Sequence, residues 1–203
     1  MYSPSDDTIF LASIVSHYHG DLPLEIGTSS GTILRELSKN FSIAVGTDID
    51  FCSLKLLVRT SKNSRVICCD AASALCNVKF DLIVFNPPYL PNRLIHVDKN
   101  VDGGPTGIEV SIHFIKSAID KLTNDGKILF LISNLTDTKK LATFISKNNL
   151  SVRKVAQKEL FYERLQIFEL NPYVNSLQHS YLLYHARYWL DLLPISLVIL
   201  LSD

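Results

Sequence analysis

The chain has 203 residues, 47% of them hydrophobic, with 20 basic and 20 acidic side chains and a formal net charge of zero. This composition can bury a core and argues against a disordered chain. The missing basic excess argues against general binding of duplex nucleic acid through its phosphates, though not against a local patch. The four cysteines, Cys52, Cys68, Cys69 and Cys76, contain no C-x-x-C pair. Neither a zinc site nor a disulfide framework is therefore expected, and they read as reduced thiols of a cytoplasmic protein. No basic segment followed by an apolar run opens the chain, so no secretory signal is expected.

Short apolar strands alternate with helical stretches, the signature of a parallel α/β sheet. Ser5 to Tyr18 reads as a helix with Ser5 or Asp6 as its cap, and Leu22 to Ile26 as the first strand. Gly27 to Gly31 is a turn and Thr32 to Lys39 a helix. Ser42 to Thr47 forms the second strand, ending at Asp48, and Asp50 caps a helix from Phe51 to Arg59. Arg65 to Cys69 is the third strand, ending at Asp70, and Phe80 to Phe85 the fourth, running into Asn86. A Pro-, Gly- and Asn-rich loop of roughly twenty residues follows, a length that usually marks a functional segment. Ile108 to Leu122 is a helix, Asn124-Asp125-Gly126 a turn, Lys127 to Ile132 the fifth strand and Asp137 to Lys147 a helix. Leu150 to Ala156 and Arg164 to Leu170 form a closing hairpin. The expected architecture is a doubly wound, mostly parallel seven-stranded sheet over residues 1–170, with a C-terminal antiparallel hairpin. The remainder, 171–203, is an apolar tail. Its longest uninterrupted apolar run, Ile195 to Leu201, is far short of the ~20 residues a membrane span needs.

The candidate site lies at the carboxyl ends of the strands, where ligands bind in such sheets. Leu24-Glu25-Ile26-Gly27-Thr28-Ser29-Ser30-Gly31 joins a strand to a helix through small residues, which lets a ligand approach the backbone near a helix N-terminus. By itself this turn is equally well explained as structural. Asp48, 17 residues past Gly31, stands where an acid accepts hydrogen bonds from ribose hydroxyls. Asp70, at the next strand end, can accept from an adenine amino group. Asn86-Pro87-Pro88-Tyr89 is the deciding element. Two prolines stiffen the loop, so the Asn86 side-chain oxygen and the Pro87 carbonyl can accept from one planar NH2 group while Tyr89 stacks on it.

The Asn-Pro-Pro-Tyr tetrapeptide after a fourth strand resembles the signature of amino-methyltransferases that modify planar nitrogens. Within that group the chain resembles HemK-type enzymes of the compact archaeal and eukaryotic branch, which methylate a glutamine of translation release factors. Tyr2-Ser3-Pro4-Ser5-Asp6-Asp7-Thr8 and Asp102-Gly103-Gly104-Pro105-Thr106-Gly107-Ile108-Glu109-Val110 resemble two further segments of that branch. The resemblance covers residues 1–170 and implies S-adenosylmethionine as cofactor. It implies Asn86, Pro87 and Tyr89 as catalytic residues. It places Thr8, Glu25, Gly27, Gly31, Asp48, Ile49, Asp70, Ala71 and Asn86 around the cofactor, with no metal ligands. It also implies the Gly-Gly-Gln loop of a release factor as substrate and a small zinc-binding activator subunit that pairs with strand three as an exposed edge. Two positions depart from the branch: Ser29 replaces a glycine, and Asp102 replaces an aromatic residue. The competing readings are a methyltransferase acting on adenine N6 or guanine N2 of nucleic acid, and a non-catalytic cofactor-binding scaffold. A nicotinamide dehydrogenase shares the glycine turn but leaves Asn-Pro-Pro-Tyr unexplained.

Overall fold

The computed structural model describes residues 5–57, 62–92 and 101–172. The elements run α1 (Asp6–Val15), β1 (Pro23–Ile26), α2 (Thr32–Asn40), β2 (Ala44–Asp48), α3 (Phe51–Leu57), β3 (Ser64–Cys68) and β4 (Phe80–Phe85). They continue with α4 (Glu109–Ala118), a 3-10 turn (Ile119–Lys121), β5 (Leu122–Ser133), α5 (Thr138–Lys147), β6 (Leu150–Glu159) and β7 (Arg164–Pro172). One sheet holds all seven strands in the order β3-β2-β1-β4-β5-β7-β6. The first five strands are mutually parallel, and β7 runs antiparallel to both β5 and β6. The strand order reverses between β1 and β4, and that switch point opens the crevice in which ligands of doubly wound sheets sit.

The central strands are apolar on both faces, as parallel strands covered from both sides must be. On one face Leu82 and Val84 of β4, Leu129 and Leu131 of β5, and Leu165 and Ile167 of β7 pack with Leu11, Val15, Ile33, Leu34 and Leu37 of α1 and α2. The other face carries a row of rings, with Phe85 stacked 5.5 Å from Phe130 and Phe130 6.0 Å from Phe168. Phe114 of α4 meets Phe85 edge-on at 5.5 Å.

Departures from the sequence reading have local causes. The first helix stops at Val15 because the next N–H groups tighten to i−3 partners, His17 to Ile14 and Tyr18 to Val15. Likewise α4 ends at Ala118 and gives way to the 3-10 turn. The expected turn at Asn124-Asp125-Gly126 is a bulge inside β5: Leu122 pairs with Phe80 and Lys127 with Leu82, so residues 123–126 stand opposite Asp81. Only glycine fits there, since a Cβ on Gly126 would lie 2.7 Å from the Phe80 carbonyl oxygen. Strand β6 runs on to Glu159 through an irregularity at Val155. The third helix is described over Phe51–Leu57, and the rest of its expected span, to Arg59, lies outside the described residues, as do residues 1–4 of the opening motif and the tail from 173. Among the described residues, no helix is long and apolar enough to cross a membrane.

Next to Leu165 and Ile167 on the α1 face lies Glu169, 2% exposed. It accepts from Tyr18 Oη at 2.8 Å and Arg153 Nη2 at 2.9 Å. Burial alone would raise its pKa; the Tyr18 and Arg153 hydrogen bonds and nearby Lys127 outweigh that and hold it below the ordinary range. The residue ties the end of α1 to the outer strands. Glu169→Gln should cost roughly 1–2 kcal/mol, the worth of a charge-assisted hydrogen bond. Urea unfolding at pH 7 measures this loss, and a Tyr18→Phe, Glu169→Gln pair should fall short of additivity.

Candidate active site

A cleft of about 730 Å³ opens at the carboxyl ends of β1, β2, β3 and β4. Thr8, Glu25, Gly27, Asp48, Ile49, Asp70, Ala71, Asn86, Pro87 and Tyr89 all line it. Gly31, expected beside the cofactor, is not among the lining residues. It holds a left-handed φ of 71° at the N-cap of α2, and a Cβ there would lie 2.6 Å from Leu57 Cδ2. Its glycine is needed for the turn and for the packing of α3.

The turn after β1 is held from below. Gly27 and Thr28 donate to the Thr47 carbonyl at 2.8 and 2.9 Å. Gly27 and Ser29 both have positive φ, 75° and 41°. Glycine adopts that region freely, whereas a serine is strained by about 1 kcal/mol. Ser29 is held there because its N–H donates to Asp48 Oδ2 at 2.8 Å. The second Asp48 oxygen accepts from the Asp50 N–H at 2.8 Å, so one carboxylate fastens two rim turns. Asp50 in turn caps α3 through the N–H groups of Cys52 and Ser53. Asp70 is already occupied: both its oxygens lie 2.9–3.0 Å from His113 Nε2 of α4. The sequence reading passed over His113, because α4 is brought to strand three only by tertiary packing.

Glu25 is buried beneath the cleft, accepting from Thr28 Oγ1 at 2.6 Å. Burial pushes its pKa from 4.5 up to about 8, against the downward pull of the Thr28 hydrogen bond.

The acceptor end is built on Asn86. Its Nδ2 donates to Thr8 Oγ1 of α1 at 3.2 Å, while its Oδ1 is buried without a hydrogen-bond partner. Tyr89 Oη donates to Asp7 Oδ2 at 3.2 Å, and its carbonyl accepts from Thr136 Oγ1 at 3.2 Å. Asp7, part of the opening segment that resembles the family, also lines the cleft, beyond the site residues that the resemblance implied. The glycine loop backs this segment. Leu90 donates to Val101 O, Gly103 to Leu90 O and Asn92 to Gly104 O. A Cβ on Gly103 would lie 2.6 Å from the carbonyl oxygens of Pro88 and Gly107, and one on Gly107 would lie 2.4 Å from the Tyr89 oxygen. Glu109 secures the loop by accepting from Thr106 N and Oγ1 and from Lys140 Nζ. Burial would raise its pKa, but these hydrogen bonds prevail and bring it to about 2.

Six acidic residues line the cleft, Asp7, Glu25, Asp48, Asp50, Asp70 and Asp102, and no Lys or Arg among the described residues lines it. Such a wall repels polyanions and attracts cations.

A family model described as the Eco57I restriction-modification methylase matches residues 37–168, the segment carrying β2 to β7 and Asn86. A Methanocaldococcus jannaschii protein, named by inference a protein N5-glutamine methyltransferase, is 30% identical over 176 residues, covering 82% of this chain and 89% of its own length. The chain belongs to the protein N5-glutamine methyltransferase family. This methyltransferase is an enzyme using S-adenosylmethionine as cofactor. A release factor glutamine methyltransferase of Bradyrhizobium diazoefficiens is 30% identical over 123 residues, 52% of this chain and 41% of that enzyme. In fold, the methyltransferase matches the E. cuniculi Mtq2–Trm112 complex with a TM-score of 0.69 at 22% identity, covering 84% of this chain and 98% of that one.

The site fits this cofactor on its own features: a cationic ligand meets an acidic wall, and left-handed turns present backbone rather than side chains. Two predictions follow from the packing. Gly103→Ala, clashing with the Pro88 carbonyl, should lower methyl transfer at least ~10-fold while leaving cofactor affinity within a factor of about three, measured by turnover and calorimetry. The raised Glu25 pKa means the unfolded chain ionises first, so stability falls as pH rises from 4.5 towards about 8 and levels off above. The slope is at most about 1.4 kcal/mol per pH unit. Glu25→Gln should remove it, as unfolding midpoints between pH 5 and 9 would show.

Proposed function

We propose that the methyltransferase transfers a methyl group to the side-chain amide nitrogen of a glutamine in a protein, most naturally the Gly-Gly-Gln loop of a translation release factor. The carrying observation is the unpartnered Asn86 Oδ1, a buried acceptor with no donor from the protein itself. Asn86 Oδ1 and the Pro87 carbonyl accept the two N–H groups of the planar amide, and Tyr89 covers its face. Thr8, by accepting from Nδ2, holds the Asn86 amide so that its oxygen faces the acceptor. An amide nitrogen is a poor nucleophile because its lone pair is delocalised. The two fixed acceptors orient it and stabilise the positive charge that grows on nitrogen as the N–C bond forms. The nitrogen then loses a proton to water, so no strong base is needed beforehand. When bound, S-adenosylmethionine supplies an electrophilic methyl carbon on a positively charged sulfur. Asp48 would hold its ribose hydroxyls, Asp70, braced by His113, its adenine amino group, Ile49 and Ala71 the adenine faces, and the Gly27 turn above Glu25 its methionyl end.

The restriction-methylase match favours a second acceptor, an adenine amino group extruded from nucleic acid, which Asn86 and Tyr89 could also hold. The zero net charge and the acidic cleft count against it. Release-factor methylation is written in the names of the Bradyrhizobium relative and the E. cuniculi complex. The latter also suggests an activator. Strand β3 is a sheet edge with half-exposed residues, beside exposed Ile49, Phe51 and Leu56. An outermost strand of this kind, the edge among the described residues, invites a strand from a small partner, for which a zinc-binding subunit is the reading carried over from the family.

Labelled cofactor should deliver methyl to a release factor and not to its Gln→Ala loop variant; label in DNA instead would overturn the proposal. Asn86→Ala should lose on the order of 10²–10³ in turnover with nearly normal cofactor binding, the size of one lost preorganised partner. Asp48→Ala should do the reverse, weakening cofactor binding first. Parallel loss of both in Asn86→Ala would refute the assigned role.

A further inference from the structure

The β6–β7 hairpin ends in two largely exposed aromatic side chains whose rings meet each other. Phe161 and Tyr162 are 90% and 87% exposed, with ring centroids 4.6 Å apart in an edge-on pair. The turn is tightly built: Leu160 N–H donates to Glu163 O at 2.8 Å, and Arg164 Nε bonds Glu159 Oε1 across its base at 2.6 Å. Solvating two large rings on a well-formed turn is unfavourable, and paired exposed aromatics are characteristic of protein-binding anchors.

The location of the tip narrows its use. Because β7 runs antiparallel to β5, the turn returns to the carboxyl end of the sheet, the rim on which β4 delivers Asn86. It is fastened there by Asn134, whose N–H donates to Arg164 O and whose Oδ1 accepts from Arg164 N. Leu135, 46% exposed, follows, and then Thr136, which donates to the Tyr89 carbonyl. On the other side Lys158 pairs with Asp6 at 3.8 Å, next to Asp7, which receives the Tyr89 hydroxyl. The tip is thus continuous with both elements that hold the acceptor end.

We propose that Phe161, Tyr162 and Leu135 form the docking surface for the methyl-acceptor protein, gripping it outside the glutamine loop. The surface takes a folded protein bearing an apolar depression beside the loop. This assignment rests on the protein-glutamine reading and goes beyond it by naming where the acceptor is held.

The test compares wild-type full-length enzyme, assayed with and without a zinc-binding subunit, with a Phe161→Ser, Tyr162→Ser variant. For an intact release factor, kcat/KM should fall about 10- to 30-fold, almost wholly through KM, the size expected for losing an aromatic anchor. Cofactor Kd and turnover of a short loop peptide should change less than about twofold. Unchanged KM for the intact factor would overturn the docking surface while leaving the glutamine reading intact. Equal losses on protein and peptide would also overturn it, since the tip would then be supporting the fold. A wild-type enzyme that leaves the release factor unmethylated would overturn both, and tip-dependent co-sedimentation with lipid vesicles would reassign the rings to a membrane.

Discussion

A buried amide oxygen without a donor is costly, of the order of a lost hydrogen bond, and Asn86 Oδ1 is held in that state at the end of β4. The side chain cannot relieve it by turning, because its nitrogen is committed to Thr8. The loop cannot relieve it either: Pro87 and Pro88 restrict the backbone, and the glycine loop is in contact behind it. The whole rim is arranged around this point, with α1 on one side supplying Thr8 and Asp7 and the β5–α5 connection on the other supplying Thr136. The strain is compensated by the two-faced core beneath, whose buried strands do not shift.

The charge of the cleft is the second constraint. Six acidic residues line it without a lysine or arginine among the described lining residues, in a chain whose total charge is zero. The asymmetry is therefore local. A cationic cofactor is favoured there, and a neutral amide is tolerated far better than a phosphate backbone would be. Glu25 is the exception that burial keeps from adding to this charge near neutral pH, and Thr28 satisfies it in the meantime.

Much of this was legible before any coordinates. Strand ends at Glu25, Asp48, Asp70 and Asn86 could be read because buried parallel strands are continuous apolar runs, and the residue that ends each run faces the rim. Asp50 was readable as a cap because capping is a local interaction. What escaped were contacts made only by tertiary packing: His113 on Asp70, Asp7 under Tyr89, and the bulge at residues 123–126, which looked like a turn because its composition is the same. The packing role of Gly31 was hidden for a related reason. A left-handed glycine in a ligand-binding turn and one that accommodates a neighbouring Leu57 look alike in one dimension. The Gly103 and Gly107 pattern was noticed, but its purpose, close approach to the Pro88 and Tyr89 carbonyls, requires knowing that the two loops meet.

The antiparallel seventh strand gives the sheet a feature that an all-parallel one lacks. A parallel strand enters at the base, so the connection leading into it arrives on the side away from the ligand. Strand β7 enters at the rim, and the hairpin turn that feeds it is carried to the ligand side. The fold thus separates its two surface offers: the open β3 edge lies beyond the cofactor end of the cleft, and the aromatic turn lies beyond the acceptor end. A partner strand on β3 would brace the turns that carry Asp48 and Asp70 without crowding a protein held at Phe161 and Tyr162. A strand added at β3 and a protein held at the aromatic turn would therefore meet one small sheet from opposite ends, with Asn86 between them.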